Sequence, residues 1–263
     1  MKDNWNAEDY AKNSQCQLQL GEELIEKLSL TGNESLLDIG CGDGKITAKL
    51  SKILKNGEVV GIDASENLIN FASKEFPNDK FQNLTFYQID ACAINFSEKF
   101  DIAFSNACLH WVKDHSGVLG KVRACLEPKG RILFQMGGRG NVGEVLNAVK
   151  LVSSKENWSM YFDNFVTPYY FYDIKDYEIW LSENHFKPLR LELIEKNIKH
   201  PSEESFKGWL RTTWFPFTDR LPEALRETFL DAISETYKIK HPADKSGGIN
   251  VKMVRLEVEA YAV

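Results

Sequence analysis

Residues 38–44 read Asp38-Ile39-Gly40-Cys41-Gly42-Asp43-Gly44, a glycine-rich stretch between a short apolar run and a segment of helical period. Such a loop is a ligand cradle. Small residues let the backbone approach the ligand, and the N–H groups at the start of the helix hold an anion. Dinucleotide sites use the same device, with a third glycine three residues after the second. Here Lys45 stands at that place, and Asp38 and Asp43 flank the cradle. Two carboxylates repel a diphosphate. They suit a ligand that carries ammonium and sulfonium groups, whose lone carboxylate can still rest at the helix N-terminus.

Asp63 closes the next apolar run about 20 residues later, where an acidic side chain can accept hydrogen bonds from ribose hydroxyls. Asp90 closes the third run. Taken singly, Asp90 reads equally as a helix cap or a solvated loop residue. As an ordered set, these acids mark the crevice at the carboxyl ends of parallel strands.

The elements that must position them alternate. Apolar runs at Ser35–Ile39, Val59–Asp63, Leu84–Ile89, Phe100–Ser105 and Arg131–Met136 predict buried strands, the last after a turn at Pro128-Lys129-Gly130. Helical spacing falls between them, over residues 14–30, 45–54, 65–75 (with Ser65 as N-cap) and 118–126. This alternation predicts a parallel sheet covered on both faces. After Met136 the rhythm changes to helices at 142–152, 174–183, 202–210 and 223–237, with strands at 189–198 and 251–261.

With 263 residues and a formal net charge of −6, the chain lacks the basic face that nucleic acid or an anionic membrane requires. Five cysteines without Cys-x-x-Cys spacing predict free thiols and no zinc site. No leader-like apolar segment or membrane-length run occurs, so the expected setting is cytoplasmic. Oligomeric state has no signature.

In order and spacing, Leu36 to Gly44, Gly61-Ile62-Asp63-Ala64-Ser65, Gln88-Ile89-Asp90-Ala91, Phe100 to Asn106 and Leu126 to Arg131 resemble the class I S-adenosylmethionine-dependent methyltransferases. The resemblance covers roughly residues 30–140. It implies a doubly wound, mostly parallel seven-stranded Rossmann-like α/β sheet with a final antiparallel strand. It implies S-adenosylmethionine as methyl donor, S-adenosylhomocysteine as product and no metal. The loop around Asp38, Gly40, Cys41 and Gly42 would hold the methionine part, Asp63 and Ala64 the ribose, and Asp90 and the Ala91 backbone the adenine. Ser105 and Asn106 would border the methionine, and Tyr10 would fold over it. Beyond this core, Trp5 with Tyr10, Asn106 to Trp111 and Tyr170 to Ile174 look like the trans-aconitate methyltransferase group.

Methyl transfer from a sulfonium needs mainly an acceptor held in line. The acceptor is expected to be a small molecule, and a small polar acid is the leading reading. A carboxylate is ionised at neutral pH and needs no base, whereas a phenol or amine can need one. His110 is the candidate catalytic residue, as acceptor ligand or base; a histidine simply bonded to backbone is the plainer reading. Trp111, Arg139, Arg211 and Trp214 are the substrate-binding candidates, arginine being suited to an anion. The aromatic run from Trp158 to Tyr172 reads either as a roof or as a small core. Residues 1–137 are expected to form the donor-binding core, and 138–263 lid insertions plus the last strands. Acceptors of another kind (a phenol, an amine, a carbon or a carrier-tethered acid) and a non-catalytic regulatory binder are the rival readings.

Overall fold

The computed structural model describes residues 7–13 and 15–263; Trp5 and the side chain of Cys16 lie outside the described residues. In chain order the elements are α1 (Ala7–Asn13), α2 (Gln15–Glu26), β1 (Leu36–Ile39), α3 (Lys45–Ile53), β2 (Val59–Asp63), α4 (Glu66–Glu75) and β3 (Leu84–Gln88). Then follow β4 (Phe100–Asn106), α5 (His115–Cys125), β5 (Leu126–Gly137), α6 (Gly143–Ser153), α7 (Glu156–Ser159), α8 (Ile174–Glu183) and β6 (Phe186–His200). The chain closes with α9 (Glu203–Thr213), α10 (Phe215–Thr218), α11 (Glu223–Lys240) and β7 (Ile249–Ala262).

The described chain divides into two units. The first comprises the residues up to Arg139 with Tyr169–Ile194 and Arg255–Val263; the second comprises Gly140–Pro168 and Glu195–Val254. β6 and β7 carry the chain from one to the other. Residues 138–263, read from sequence as lid insertions plus the last strands, are thus shared: Tyr169–Ile194 and Arg255–Val263 belong to the first unit.

The seven-stranded sheet has the order β3-β2-β1-β4-β5-β7-β6. β1 to β5 pair in parallel and β7 runs antiparallel to β5, as the sequence predicts. β1 lies between β2 and β4, so the strand order reverses there and opens a crevice beyond its carboxyl end. Alternation along each strand feeds two cores. Leu37, Ile39, Ala103, Ile132 and Phe134 pack with Val118, Leu119 and Val122 of α5 and with Tyr177 and Leu181 of α8. Leu36, Val59, Phe104 and Leu133 pack on the other face with Leu24 of α2, Leu50 of α3, and Leu28 and Leu54. Each such leucine, withdrawn fully from water, contributes about 1.5–3 kcal/mol.

One element differs from expectation. Pro128-Lys129-Gly130 lies within β5 as an irregularity: Leu126 pairs with Phe100 before the register shifts and Arg131 pairs with Ile102. Lys129 takes a left-handed φ of 65° there.

The second unit has a core of its own. Trp158 meets Phe229 edge-on at 5.1 Å and Phe162 stacks on the same ring at 5.3 Å. Ser202 caps α9 through Ser205 N–H, and Glu203 ties α9 to α11 through Lys238 at 2.6 Å. Part of the aromatic run is therefore core. No helix among the described residues is long and apolar enough to cross a membrane.

Candidate functional site

The loop after β1 is pinned from below. Gly40 and Cys41 N–H both donate to Ile62 O, at 2.7 and 2.9 Å, and Gly42 N–H donates to Asp63 Oδ2 at 3.0 Å. Gly40, Gly42 and Gly44 have φ of 74°, 56° and 79°, the left-handed region that glycine enters without strain. A Cβ on Gly40 would lie 2.2 Å from Cys108 Cβ and Sγ, so that glycine is also required by packing. A Cβ on Gly42 would instead meet the Tyr10 ring at 3.5 Å, an ordinary contact across the crevice mouth. Tyr10 thus stands beside the loop.

Around this loop a crevice is lined by Tyr10, Gln17, Leu18, Asp38, Gly40, Cys41, Gly42, Asp43, Lys45, Ile46 and Asn106. Asp38 is buried on the α3 side of β1, where Thr47 Oγ1 donates to its Oδ2 at 2.7 Å. Burial and then the nearby Asp63 charge raise its carboxyl, the Thr47 bond opposes them, and it rests at about 7. Asp43 is ion-paired with Lys45 at 2.9 Å. Asn106 Nδ2 donates to Gln17 O at 2.9 Å. Among the described residues, the buried Asn106 Oδ1 and Gln17 Oε1 have no hydrogen-bond donor. Two unsatisfied amide oxygens beside a buried carboxylate form an acceptor set for a cation with several N–H groups. An ammonium fits it.

At the neighbouring strand ends, Asp63 is half-buried and each of its oxygens accepts one backbone N–H, from Gly42 and from Ser65. Ala64 is exposed beside it. Asp90 is exposed and caps the short 3-10 turn Ala91–Ala93, accepting from Cys92 N–H at 2.8 Å, while Ala91 is buried. The crevice and the strand-end acids Asp63 and Asp90 thus lie along the carboxyl ends of β1, β2 and β3. Ser105 is used differently: it is fully buried and its Oγ donates to Ile39 O at 2.8 Å, tying β4 to the loop. The Cys41 and Cys108 thiols are pushed well above their ordinary range, first by burial and then by Asp63 and Asp38, so neither is a nucleophile at neutral pH.

His110 and Trp111 sit on the 3-10 turn Leu109–Trp111 after β4. The buried His115 fixes that turn, its Nε2–H donating to Leu109 O at 2.7 Å while Tyr177 Oη donates to Nδ1 at 2.7 Å. His110 Nδ1 accepts Gly137 N–H at 3.3 Å, which leaves its proton on Nε2. Burial above all, then the charges of Arg255 and His115, lower the His110 imidazole to about 3. It is therefore a neutral donor at physiological pH. Trp111 meets Tyr169 edge-on at 4.8 Å, and Phe171 stacks on Tyr169, so these rings wall the turn.

Arg139 is mostly exposed and pairs with Asp173 at 2.9 Å. Arg211 lies in the second unit, paired with Glu227 at 3.0 Å and Glu204 at 3.4 Å. Trp214, buried in that unit, packs against Trp209 and Phe217. Neither belongs to the unit that holds the crevice. Sequence reasoning missed Gln17, which lines the crevice but reads as the polar side of α2. Among the described residues no cluster of His, Cys, Asp and Glu is placed to hold a metal ion.

The chain matches the methyltransferase domain family over residues 30–188. An uncharacterised methyltransferase of Schizosaccharomyces pombe is 32% identical, with 89% of this chain and 91% of that protein covered. A trans-aconitate 2-methyltransferase of Rhodopseudomonas palustris is 25% identical over 97% of this chain and 98% of its own length. Juvenile hormone acid O-methyltransferase of Drosophila melanogaster is 26% identical over 76% and 69%. Among solved structures, a putative methyltransferase of Bacillus halodurans superposes with a TM-score of 0.61 at 16% identity, covering 92% of this chain and 97% of that one. The chain belongs to the class I S-adenosylmethionine-dependent methyltransferases and is related to the trans-aconitate group.

Proposed function

We propose that this methyltransferase acts on a small polar acid and places the methyl group on a carboxylate oxygen. The observation that carries the reading is His110. Its Nδ1 is occupied by Gly137 N–H and its imidazole stays neutral down to about pH 3, so it offers an N–H and no basic lone pair. A phenol or amine acceptor gains from a base at this position. A carboxylate is already ionised and gains from a donor that orients it. Two relatives, trans-aconitate 2-methyltransferase and juvenile hormone acid O-methyltransferase, are named for acid substrates and point the same way.

S-adenosylmethionine supplies the electrophilic methyl group. In this assignment Asp38, Gln17 Oε1 and Asn106 Oδ1 take its ammonium, with Gly40, Cys41 and Gly42 as the backbone cradle. Asp63, held in place by Gly42 and Ser65 N–H, takes the ribose hydroxyls. Asp90 accepts from the adenine amino group and Ala91 borders the ring. Tyr10 closes over the loop. Ser105 acts indirectly, through Ile39 O. His110 Nε2–H and the Trp111 indole orient the acceptor carboxylate, and Arg139 stands as a cation at the end of β5. Arg211 and Trp214, engaged inside the second unit, have no part in this assignment.

Release of S-adenosylhomocysteine, followed with aliphatic di- and tricarboxylic acids, monocarboxylic acids, phenols and amines, tests the reading. Turnover on acids is expected. Turnover confined to phenols or amines would reject it.

A further inference from the structure

Leu109 O already accepts Val112 N–H at 2.8 Å, which closes the 3-10 turn that carries His110. His115 brings a second donor to the same oxygen, its Nε2–H at 2.7 Å. The carbonyl does not need that bond to be satisfied. The bond also places polar groups in the core: His115 is 1% exposed, and the Tyr177 phenol that backs it is fully buried among Val118, Leu119, Met136 and Leu181. Apolar side chains of similar volume would fill the space with no polar atoms to match. The pair is therefore explained by what the second bond does to the turn, not by packing.

Leu109 O can only accept, so Nε2 of His115 carries the proton and Nδ1 keeps a lone pair, which Tyr177 O–H fills at 2.7 Å. Met136 Sδ, 3.2 Å from that hydroxyl, is a contact and not its acceptor. Tyr172 meets the imidazole edge-on at 4.7 Å, and burial above all lowers it to about 4, so it is neutral in the physiological range. With both lone pairs of Leu109 O engaged, the plane of the peptide joining Leu109 to His110 is set. The plane joining His110 to Trp111 is set by Tyr170 N–H, which donates to His110 O at 2.8 Å. Two set planes fix φ and ψ of the residue between them, and so the direction of its Cα–Cβ bond. Gly137 N–H then stops the His110 ring at Nδ1. Tyr170 and Gly137 act through backbone groups. His115 and Tyr177 act through side chains, so theirs is the restraint that substitution can remove. All of these residues lie in the first unit.

We propose that His115, oriented by Tyr177, is a positioning residue for methyl transfer, which acts by aiming His110 at the acceptor. This rests on His110 as the acceptor's partner and holds whichever atom of the acceptor is methylated.

The test is a double-substitution cycle of His115→Phe and His110→Ala, using the acceptor from the panel above that turns over fastest. Active enzyme is counted by calorimetric titration with S-adenosylhomocysteine, so that unfolded protein does not enter kcat. His115→Phe alone is expected to lower kcat by about 10- to 100-fold, the cost of misplacing a reacting partner by a fraction of an ångström to one ångström. Its affinity for S-adenosylhomocysteine stays within about 3-fold, less than one ordinary hydrogen bond contributes. His115→Gln, whose amide can return an N–H to Leu109 O, recovers part of the loss. In the His110→Ala background, His115→Phe lowers kcat no further, as for two residues that act as a unit. Nitrogen NMR of labelled protein, which needs no acceptor, should show the His110 ring and Gly137 amide resonances displaced in His115→Phe and moved back toward the parent's in His115→Gln. Undiminished kcat in His115→Phe while His110→Ala is impaired overturns the proposal and leaves the His110 assignment standing. An equal loss from His115→Phe in both backgrounds marks a merely structural role and overturns it as well. Full activity of His110→Ala sinks the His110 assignment and the proposal with it. If His115→Phe fails to fold, Tyr177→Phe, which keeps the ring and removes only the hydroxyl, takes its place in the cycle under the same criteria. If no acceptor turns over, unchanged His110 and Gly137 resonances overturn the proposal by themselves.

Discussion

Asp38 makes donor binding depend on pH within the physiological range, and Asp38→Asn removes that dependence. Its carboxyl sits at about 7 because burial outweighs the Thr47 hydrogen bond, with Asp63 adding repulsion. An ammonium beside it favours the ionised form, so binding must expel the proton wherever Asp38 is protonated. The sign follows: affinity rises with pH up to about 7 and then levels. With that pKa the ionised fraction is about 0.09 at pH 6 and 0.76 at pH 7.5, so S-adenosylmethionine binds roughly 8-fold more weakly at pH 6. Calorimetry at pH 6.5 in two buffers of different ionisation heat should show release of about three-quarters of a proton per ligand. Asp38→Asn keeps an acceptor for Thr47 but has no charge. Its affinity at pH 7.5 should fall by about 10- to 100-fold, the range for a hydrogen bond to a charged group, and its profile should be flat between pH 6 and 7.5. Constant parent affinity across that interval with no proton release refutes the reasoning. A variant that keeps the parent's slope refutes it as well.

Asp63→Ala removes the acceptor of Gly42 and Ser65 N–H along with the proposed ribose contact, and should weaken S-adenosylmethionine by about 1–3 kcal/mol in calorimetry; unchanged affinity would mean that the β2 end is not the ribose site. Gly40→Ala sets a methyl 2.2 Å from Cys108 at a φ of 74°, and should destabilise the fold by about 2–4 kcal/mol in urea unfolding, whereas a loss under 1 kcal/mol would show that the loop shifts freely. With donor and acid acceptor saturating, kcat should show no inflection from His110 above pH 5, because that imidazole titrates near 3. A limb near pH 6.5 that disappears in His110→Gln would instead identify a general base.

The fold was largely legible because β1 to β4 are short apolar runs, each closed by or soon followed by Gly, Asp or Asn, in a sheet whose two faces both need cover. β5 was read too short because Pro128-Lys129-Gly130 has turn composition, yet Leu126 regains a partner in Phe100 across the irregularity. The places of Asp38, Asp63 and Asp90 at or just beyond strand ends were legible because strand ends are fixed locally. Gln17 and Arg255 were not. Gln17 reaches the crevice from α2 and meets Asn106 across 89 positions of chain. Arg255 alternates with Val254 and Leu256, so period-two patterning predicts a solvent-facing side chain. It is instead buried, with its Nε donating to Gln135 Oε1 at 3.3 Å. Ser105 was placed correctly in the chain, but only coordinates show its hydroxyl spent on Ile39 O.

The most direct measurement of the central claim is to give the enzyme S-adenosylmethionine carrying an isotopically labelled methyl group, with a panel of small polycarboxylic acids, and to locate the label in the product by NMR and mass spectrometry. The account predicts the label on a carboxylate oxygen, as a methyl ester that mild alkali removes. Label on carbon, nitrogen or a phenolic oxygen, or no transfer to any acid while other acceptors turn over, would contradict it.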